Sequence, residues 1–379
     1  MKKHLPHSTF NAAFARLYEL YADGHTIVVS FSGGKDSTIC LELAIMAATK
    51  ADALPVHVIH RDEEILLPHT YEYIDRTYQR PEVKMRHVCA YQPVVNVFDR
   101  NQPYWWIFDD RVDPELWVRQ PPSYIEKINI QNIEGLVTPD IYKTPPDKKI
   151  YSVIGLRVSE SPNRRMGLFS SKGHLTKPNR FGVSYCRPIY DWSDGDVWKA
   201  IKDNKWDYNE AYNIMVRFGR TRRQLRIAPL TMTAAGIPDL QLASRAWPTF
   251  FDRVCARLGG VRLAANFGKR AVEPQRKTTE TWEDCFWREC VNEAPQWISD
   301  RSKVAAEKIV NNHDRKNPTI PFPQSQPVRA NPMGSWKNLS KAMYNGDPFV
   351  FKTKGLLPLI EPDEFRDGAG KWEGSPSYG

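Results

Sequence analysis

Residues 30–37 read SFSGGKDS, placed between the apolar run Ile27-Val28-Val29 and an apolar-periodic stretch from Thr38 to Ala47. A buried strand, a glycine turn opened by serine and then a helix make a phosphate-binding arrangement. Gly33 and Gly34 lack a Cβ, so the backbone can turn sharply and approach a ligand closely. Ser32 and the first-turn amides would face an anion at the positive end of the helix dipole. Ser30 and Ser37 add hydroxyls. Lys35 supplies a point charge for phosphate oxygens, and Asp36 a carboxylate for a metal ion riding on them. The loop is not of the Walker A type, because Gly34-Lys35 is followed by Asp36 where that motif has Ser or Thr.

The elements that must position this loop follow from hydrophobic patterning. Leu54 to Ile59 predicts a second buried strand, ending at His60-Arg61-Asp62-Glu63-Glu64. Val83 to Val88 predicts a third, after an amphipathic helix around Leu67 to Gln79, and Ile150 to Leu156 a fourth. Apolar strands alternating with helices imply an α/β fold, a parallel twisted sheet with helices on both faces. Ligands of such sheets bind at the carboxyl ends of the strands. The SGGKDS loop, the acidic trio and Arg157 all fall on that edge.

The SGGxDS spacing resembles the signature of the PP-loop ATP pyrophosphatase superfamily. Gly155-Leu156-Arg157, Ser159-Glu160-Ser161 and Arg164 look like the G-I-R-x-x-E-S-x-x-R segment of its PAPS (phosphoadenosine phosphosulfate) reductase-like branch. Arg187 to Trp192 with Asp196-Val197-Trp198 resembles P-I-x-D-W-x-x-x-D-V-W, and Tyr208 to Tyr212 resembles Y-N-x-x-Y. The set covers about residues 25 to 230. The resemblance implies an adenine nucleotide alpha hydrolase-like (HUP-type) fold that binds ATP or PAPS with Mg2+, cleaving ATP between the α and β phosphates to AMP and pyrophosphate and adenylylating a substrate. It also implies closeness to a mobile-element group partnered with ParB-like proteins. Lys35, Asp36 and Arg157 are its expected catalytic residues. The nucleotide contacts are expected from Ser30, Ser32 to Ser37, Asp62, Gly155, Arg157, Glu160 and Arg164, with Asp36 as the metal ligand.

Several readings stay open at this level. Arg157 and Arg164 suit phosphate by bidentate contact, or pair with surface carboxylates. Asp62 suits magnesium or a ribose, and Glu63 and Glu64 suit either a site or a solvated loop. The run Arg217, Arg220, Arg222, Arg223, Arg226 suits a nucleic-acid backbone, the far wall of a nucleotide pocket, or a solvated helix face. Tyr104, Trp105 and Trp106 read as exposed aromatics that could stack on bases. Sulfonucleotide reduction or sulfur transfer is an alternative chemistry, but it needs a mobile cysteine, and the family's C-terminal E-C-G-L-H is absent. Cys285 and Cys290 read as packed core residues, and two neighbouring cysteines predict no iron–sulfur cluster. His60, His69 and His87 have no metal-ligand spacing to cysteines and read as structural. A further alternative is a nucleotide-sensing subunit without turnover.

Composition sets the limits. A net charge of +9 and pI near 9.1 favour polyanionic partners: nucleotides, and nucleic acid. Six scattered cysteines, no membrane-length apolar run and no signal-peptide pattern predict a cytoplasmic protein. Three regions are expected: a nucleotide-binding domain over 1–230, a mainly helical extension over 231–311, and a Pro-rich extended tail over 312–379 with Trp336, Tyr344, Phe349 and Phe351 as anchors. The aromatic, proline-rich stretch 92–146 reads as an insertion or a lid.

Overall fold

The computed structural model describes residues 8–90, 92–128, 133–171, 173–328, 333–362 and 365. It divides into two compact units, Met1–Gln92 with Pro121–Pro229, and Pro93–Gln120 with Leu230–Gly379. The chain runs through α1 (Thr9–Ala22), β1 (Thr26–Ser30), α2 (Lys35–Lys50), β2 (Val56–Arg61), α3 (Pro68–Tyr78), β3 (Val83–Ala90), β4 (Pro93–Val95), β5 (Tyr104–Trp106), β6 (Glu126–Ile128), β7 (Ile150–Val153), α4 (Pro162–Ser171), β8 (Val183–Cys186), α5 (Asp194–Asn204) and α6 (Ala211–Arg217). It continues through α7 (Ile237–Ala246), α8 (Pro248–Arg257), α9 (Val261–Phe267), α10 (Trp282–Phe286), α11 (Gln296–Lys316) and α12 (Trp336–Met343).

The first unit is a parallel six-stranded sheet in the order β6-β3-β2-β1-β7-β8. Its central strand, Thr-Ile-Val-Val-Ser, is β-branched and buried on both faces, which accounts for its unbroken apolar run. Val29 packs on one side with residues of α1, α2 and α5, including Leu17, Leu41 and Val197. Val28 packs on the other with Ile59, Val88, Ile150 and Val183, closed over by Leu136 and Val137. Strand order reverses between β1 and β7, which pair in register from Thr26↔Ile150 to Val29↔Val153. The crevice beside such a switch point is where open α/β sheets bind ligands.

The second unit departs from the expected division. Residues 93–120 belong to it, and the regions on either side of residue 312 share one core: Phe286, Cys290, Ala305 and Ile309 pack with Trp336, Leu339, Met343 and Leu357. The expected extended tail therefore contains a helix, α12, capped by Ser335. Trp336 is buried and Phe349 packs against Tyr104 at 5.1 Å between ring centroids, whereas Phe351 is 81% exposed and only stacks on Phe349. Residues 366–379 of the tail, and 129–132 of the aromatic stretch, lie outside the described residues.

The aromatic triplet is not exposed, contrary to the expectation from sequence. Tyr104, Trp105 and Trp106 are buried at 0%, 3% and 4% exposure, because they form β5 of an antiparallel hairpin with β4. Tyr104 and Trp106 pack with Ile360 and Phe365, and the Tyr104 hydroxyl donates to the Ile360 carbonyl at 3.2 Å. No stacking surface for bases remains there. Among the described residues, no helix is long and apolar enough to cross a membrane.

Candidate nucleotide site at the sheet edge

The loop after β1 adopts the conformation its glycines permit. Gly33 has φ +71°, and a Cβ there would come within 3.1 Å of Thr70 and 3.3 Å of Ile74, so both backbone angle and space call for glycine. Gly34 caps α2 without a side-chain cap, leaving the helix start to other partners. Ser37 Oγ donates to the Gly34 carbonyl (2.9 Å) and lies 3.1 Å from Ser32 Oγ, while Ser30 Oγ meets Ser152 Oγ at 3.1 Å across β1 and β7.

Three residues outside the loop hold it. Asn209 is fully buried and donates to the Gly33 carbonyl (3.0 Å) and Thr70 Oγ1 (2.9 Å). The Tyr212 hydroxyl accepts the Lys35 amide at 2.8 Å, and burial pushes its ionisation above the ordinary tyrosine range. A capping box, with Ser193 and Asp196 bonding each other's amides, starts α5 and sets Asp194 on its first turn. Asp194 then lies 3.6 Å from Lys35 Nζ and 3.5 Å from Arg157. The sequence reading assigned none of these three a role. The Y-N-x-x-Y spacing was the available signal for two of them.

Lys35 and Arg157 are only 4% and 3% exposed. Arg157 Nε lies 2.7 Å from Asp36 Oδ1, an ion pair without directed hydrogen-bond geometry, and its terminal nitrogens reach Ser159 and Glu160 at 3.4 Å. Gly155 permits this approach: a Cβ there would sit 2.8 Å from the Asp36 carbonyl carbon. Arg164, on α4, pairs with Glu160. Burial first, and then repulsion from Arg226, lower its ionisation from the ordinary arginine value.

These residues surround three cavities. One, of about 340 Å³, is mostly apolar and runs from Ser30 and Ser32 past Ile59 and His60 to Leu136, Val183 and Pro229. A second, of about 320 Å³, lies over Gly34 to Ser37, Gly155, Glu160, Arg164 and Arg226. A third, of about 500 Å³, holds Lys35, Arg157, Asp194, Arg222, Arg223 and Arg226. Ser30 and Ser32 are common to the first two, and Lys35, Glu160 and Arg226 to the last two. An apolar hollow followed by a polar, then a basic one matches the shape of a nucleoside and its phosphates.

Other expected contacts fall elsewhere. Asp62 is fully buried, with Oδ1 accepting the Glu64 amide at 2.9 Å and Oδ2 lying 2.7 Å from His87 Nε2, so it does not reach into the cavity as a ribose or magnesium ligand. Glu64 is fully buried rather than solvated, and Glu63 lines the first cavity paired with Arg61. Asp36 has both carboxylate oxygens turned to cations, Oδ1 to Arg157 and Oδ2 to Lys35 at 3.5 Å. That arrangement does not fit a magnesium ligand, since metal coordination would displace Arg157. The basic run does not form one helix face, because α6 ends at Arg217 and Gly219 turns the chain with φ +85°. Arg222, Arg223 and Arg226 line the basic cavity, and Arg217 is exposed outside it.

Cys285 and Cys290 are buried, and burial pushes their thiols up to about 11 and about 12. Cys290 lies in a π-helical turn, Trp287–Asn292, with Sγ 3.6 Å from the Ser340 carbonyl.

The parallel sheet with the SGGKDS loop at its switch point has the arrangement that the SGGxDS resemblance implies. Residues 26–103 match the phosphoadenosine phosphosulfate reductase domain. The chain is 24% identical over 380 residues to the uncharacterized protein YbdN of Escherichia coli (strain K12), covering 90% of this chain and 89% of that one. It is 28% identical over 204 residues to adenosine 5'-phosphosulfate reductase of Staphylococcus saprophyticus subsp. saprophyticus, covering 52% of this chain and 68% of that enzyme. Similar solved structures include the PAPS reductase of Candida auris in a phosphate complex (TM-score 0.33, 13% identity, 57% of this chain and 88% of that one). FMN adenylyltransferase of Candida glabrata is another (TM-score 0.36, 13% identity, 54% and 57%).

Proposed function

We propose that the first unit is an enzyme that binds ATP along the three cavities and cleaves it between the α and β phosphates, transferring the adenylyl group to an acceptor. The observation carrying this reading is the convergence of the serine-glycine loop, Lys35, Arg157, Arg164, Arg222, Arg223 and Arg226 on cavities that share lining residues. Adenosine would occupy the apolar hollow by Ser30 and Ile59. The β and γ phosphates would lie over Gly34 to Ser37. An acceptor oxygen attacks the α phosphorus, a new P–O bond forms, and the bond to the bridging oxygen breaks with its electron pair leaving on pyrophosphate. Lys35, Arg157 and the start of α2 stabilise that leaving charge, and their buried setting strengthens the effect. Asp36 and Asp194 orient the two cations and keep them paired in the absence of ligand. The exposed Arg217 and the net charge of +9 support a polyanionic acceptor, as in nucleic-acid modification.

The reductase relatives favour a second reading, in which the same cavities hold a sulfonucleotide. That chemistry requires an accessible thiolate, and the raised, buried thiols of Cys285 and Cys290 argue against either serving. Calorimetry tests the ATP reading. ATP should bind the wild-type chain, and Lys35→Ala should weaken it at least about tenfold, roughly 1.4 kcal/mol. Equal affinity in both proteins would exclude the loop as the phosphate site, and binding of PAPS with no binding of ATP would favour the second reading.

A further inference from the structure

The sheet edge holds a second constellation that the nucleotide reading does not use. β2 and β3 are parallel and pair His60 with His87, which brings their rings together on one face, 4.7 Å apart between centroids and nearly perpendicular. Asp62 lies two residues beyond His60, and its amide still bonds the Val88 carbonyl at 2.8 Å, so the extended pairing carries its carboxylate to the same place. One ligand atom from each of His60, Asp62 and His87 lies within 4.8 Å of the others. All three residues are at most 2% exposed, on the face where Val56, Val58, Val83 and Met85 are apolar.

We infer that His60, Asp62 and His87 bind one divalent first-row transition-metal ion. Two imidazoles and one carboxylate, with coordination positions left over, are a donor set for such ions and not for calcium or magnesium, which take oxygen. The surrounding bonds prepare the ligands. His60 Nδ1 lies 2.9 Å from the Phe31 carbonyl, which can only accept, so Nδ1 carries the proton and Nε2 the lone pair a metal needs. The Glu64 amide fixes Asp62 Oδ1 and directs Oδ2 towards His87. Glu64 makes that bond from a left-handed backbone, φ +60°, a conformation retained in non-glycine residues where the surroundings enforce it. Nδ1 of His87 is buried without a hydrogen-bond partner, while its Nε2 lies 2.7 Å from Asp62 Oδ2. Metal binding would replace the proton between His87 Nε2 and Asp62 Oδ2, releasing it to solvent.

The position gives the ion a consequence. Phe31 immediately precedes Ser32, and His60 also lines the apolar cavity, so a metal-held His60 would fix the entry to the SGGKDS loop through the Phe31 carbonyl. The inference stands independently of which nucleotide reaction the loop performs.

The test uses the full chain, stripped with a chelator and dialysed, then titrated with Co2+ and separately with Zn2+. One equivalent of Co2+ should bind, with the ligand-field absorption of a four- or five-coordinate ion, and Zn2+ should displace it and raise the melting temperature. His60→Gln and His87→Gln should each weaken Co2+ binding about a hundredfold or more, while His69→Gln, outside the cluster, should not. The wild-type titration decides the matter even where a variant folds poorly. Absence of stoichiometric Co2+ binding by the wild type, or unchanged binding in folded His60→Gln and His87→Gln, would overturn the inference and leave Asp62–His87 as a purely structural hydrogen bond.

Discussion

Charged side chains are buried in both units, but they are spent differently. In the second unit the Asp347 carboxylate accepts the amides of Phe351, Lys352 and Thr353 and the Thr353 hydroxyl, at 2.8–3.1 Å. Arg301 donates to the carbonyls of Gly346, Asp347 and Pro358 at 2.8–3.1 Å. Both are satisfied by backbone and fix the chain after α12. In the first unit, Lys35, Arg157, Arg222, Arg223 and Arg226 converge on a cavity with three carboxylates, those of Asp36, Glu160 and Asp194, among them. Charges saturated by backbone hold a fold, whereas an excess of one sign around open space suits a ligand of the other sign.

The largest effect should come from the structural side. Arg301→Leu leaves the carbonyls of Gly346, Asp347 and Pro358 without this donor, the first two in buried contacts, and should destabilise the second unit by about 3 kcal/mol. Urea unfolding followed by tryptophan fluorescence would measure it, with ATP affinity at the folded plateau unchanged. An unaltered midpoint would mean that Arg301 is not the brace its contacts describe.

A smaller effect tests the ligand side. Replacing both Arg222 and Arg223 by Glu should weaken ATP about fivefold, near 1 kcal/mol, because both line the cavity that contains Lys35. On the nucleic-acid reading of this basic run, the same change weakens nucleic-acid binding and leaves ATP untouched. Filter binding with ATP and with single-stranded DNA distinguishes the two, and unchanged ATP affinity would return these arginines to the nucleic-acid reading.

The smallest effect is predicted at the cysteines. Cys285→Ser and Cys290→Ser should leave nucleotide binding and turnover unchanged. Their thiols titrate at about 11 and about 12, so at pH 8 both stay protonated, and alkylation should accelerate as pH rises. Mass spectrometry should find the half-buried Cys255 modified first. Thioredoxin-dependent sulfite release from PAPS, lost on Cys290→Ser, would instead make Cys290 a redox residue.

Much of the first unit was legible because its signals are local. The apolar runs of β1, β2, β3 and β7 and the SGGKDS loop give strand, turn and helix directly, and parallel topology then collects them at one edge. β6 and β8 were not read, being three and four residues long, with Glu126-Lys127 carrying no apolar pattern. The support given by Asn209, Tyr212 and Asp194 depends on how loops fold back onto the β1 turn. His60 and His87 meet only through strand register, which spacing to cysteines does not encode. Aromatic content likewise does not distinguish a stacking surface from the hairpin core that Tyr104 to Trp106 form.

Which bond of ATP is cleaved is read most directly from the identity of the nucleotide products. With ATP, magnesium and acceptor present, anion-exchange chromatography should resolve pyrophosphate and adenylyl transfer or AMP, absent in Lys35→Ala, if the loop holds the leaving pyrophosphate as proposed. ADP and inorganic phosphate in place of those products would contradict the account.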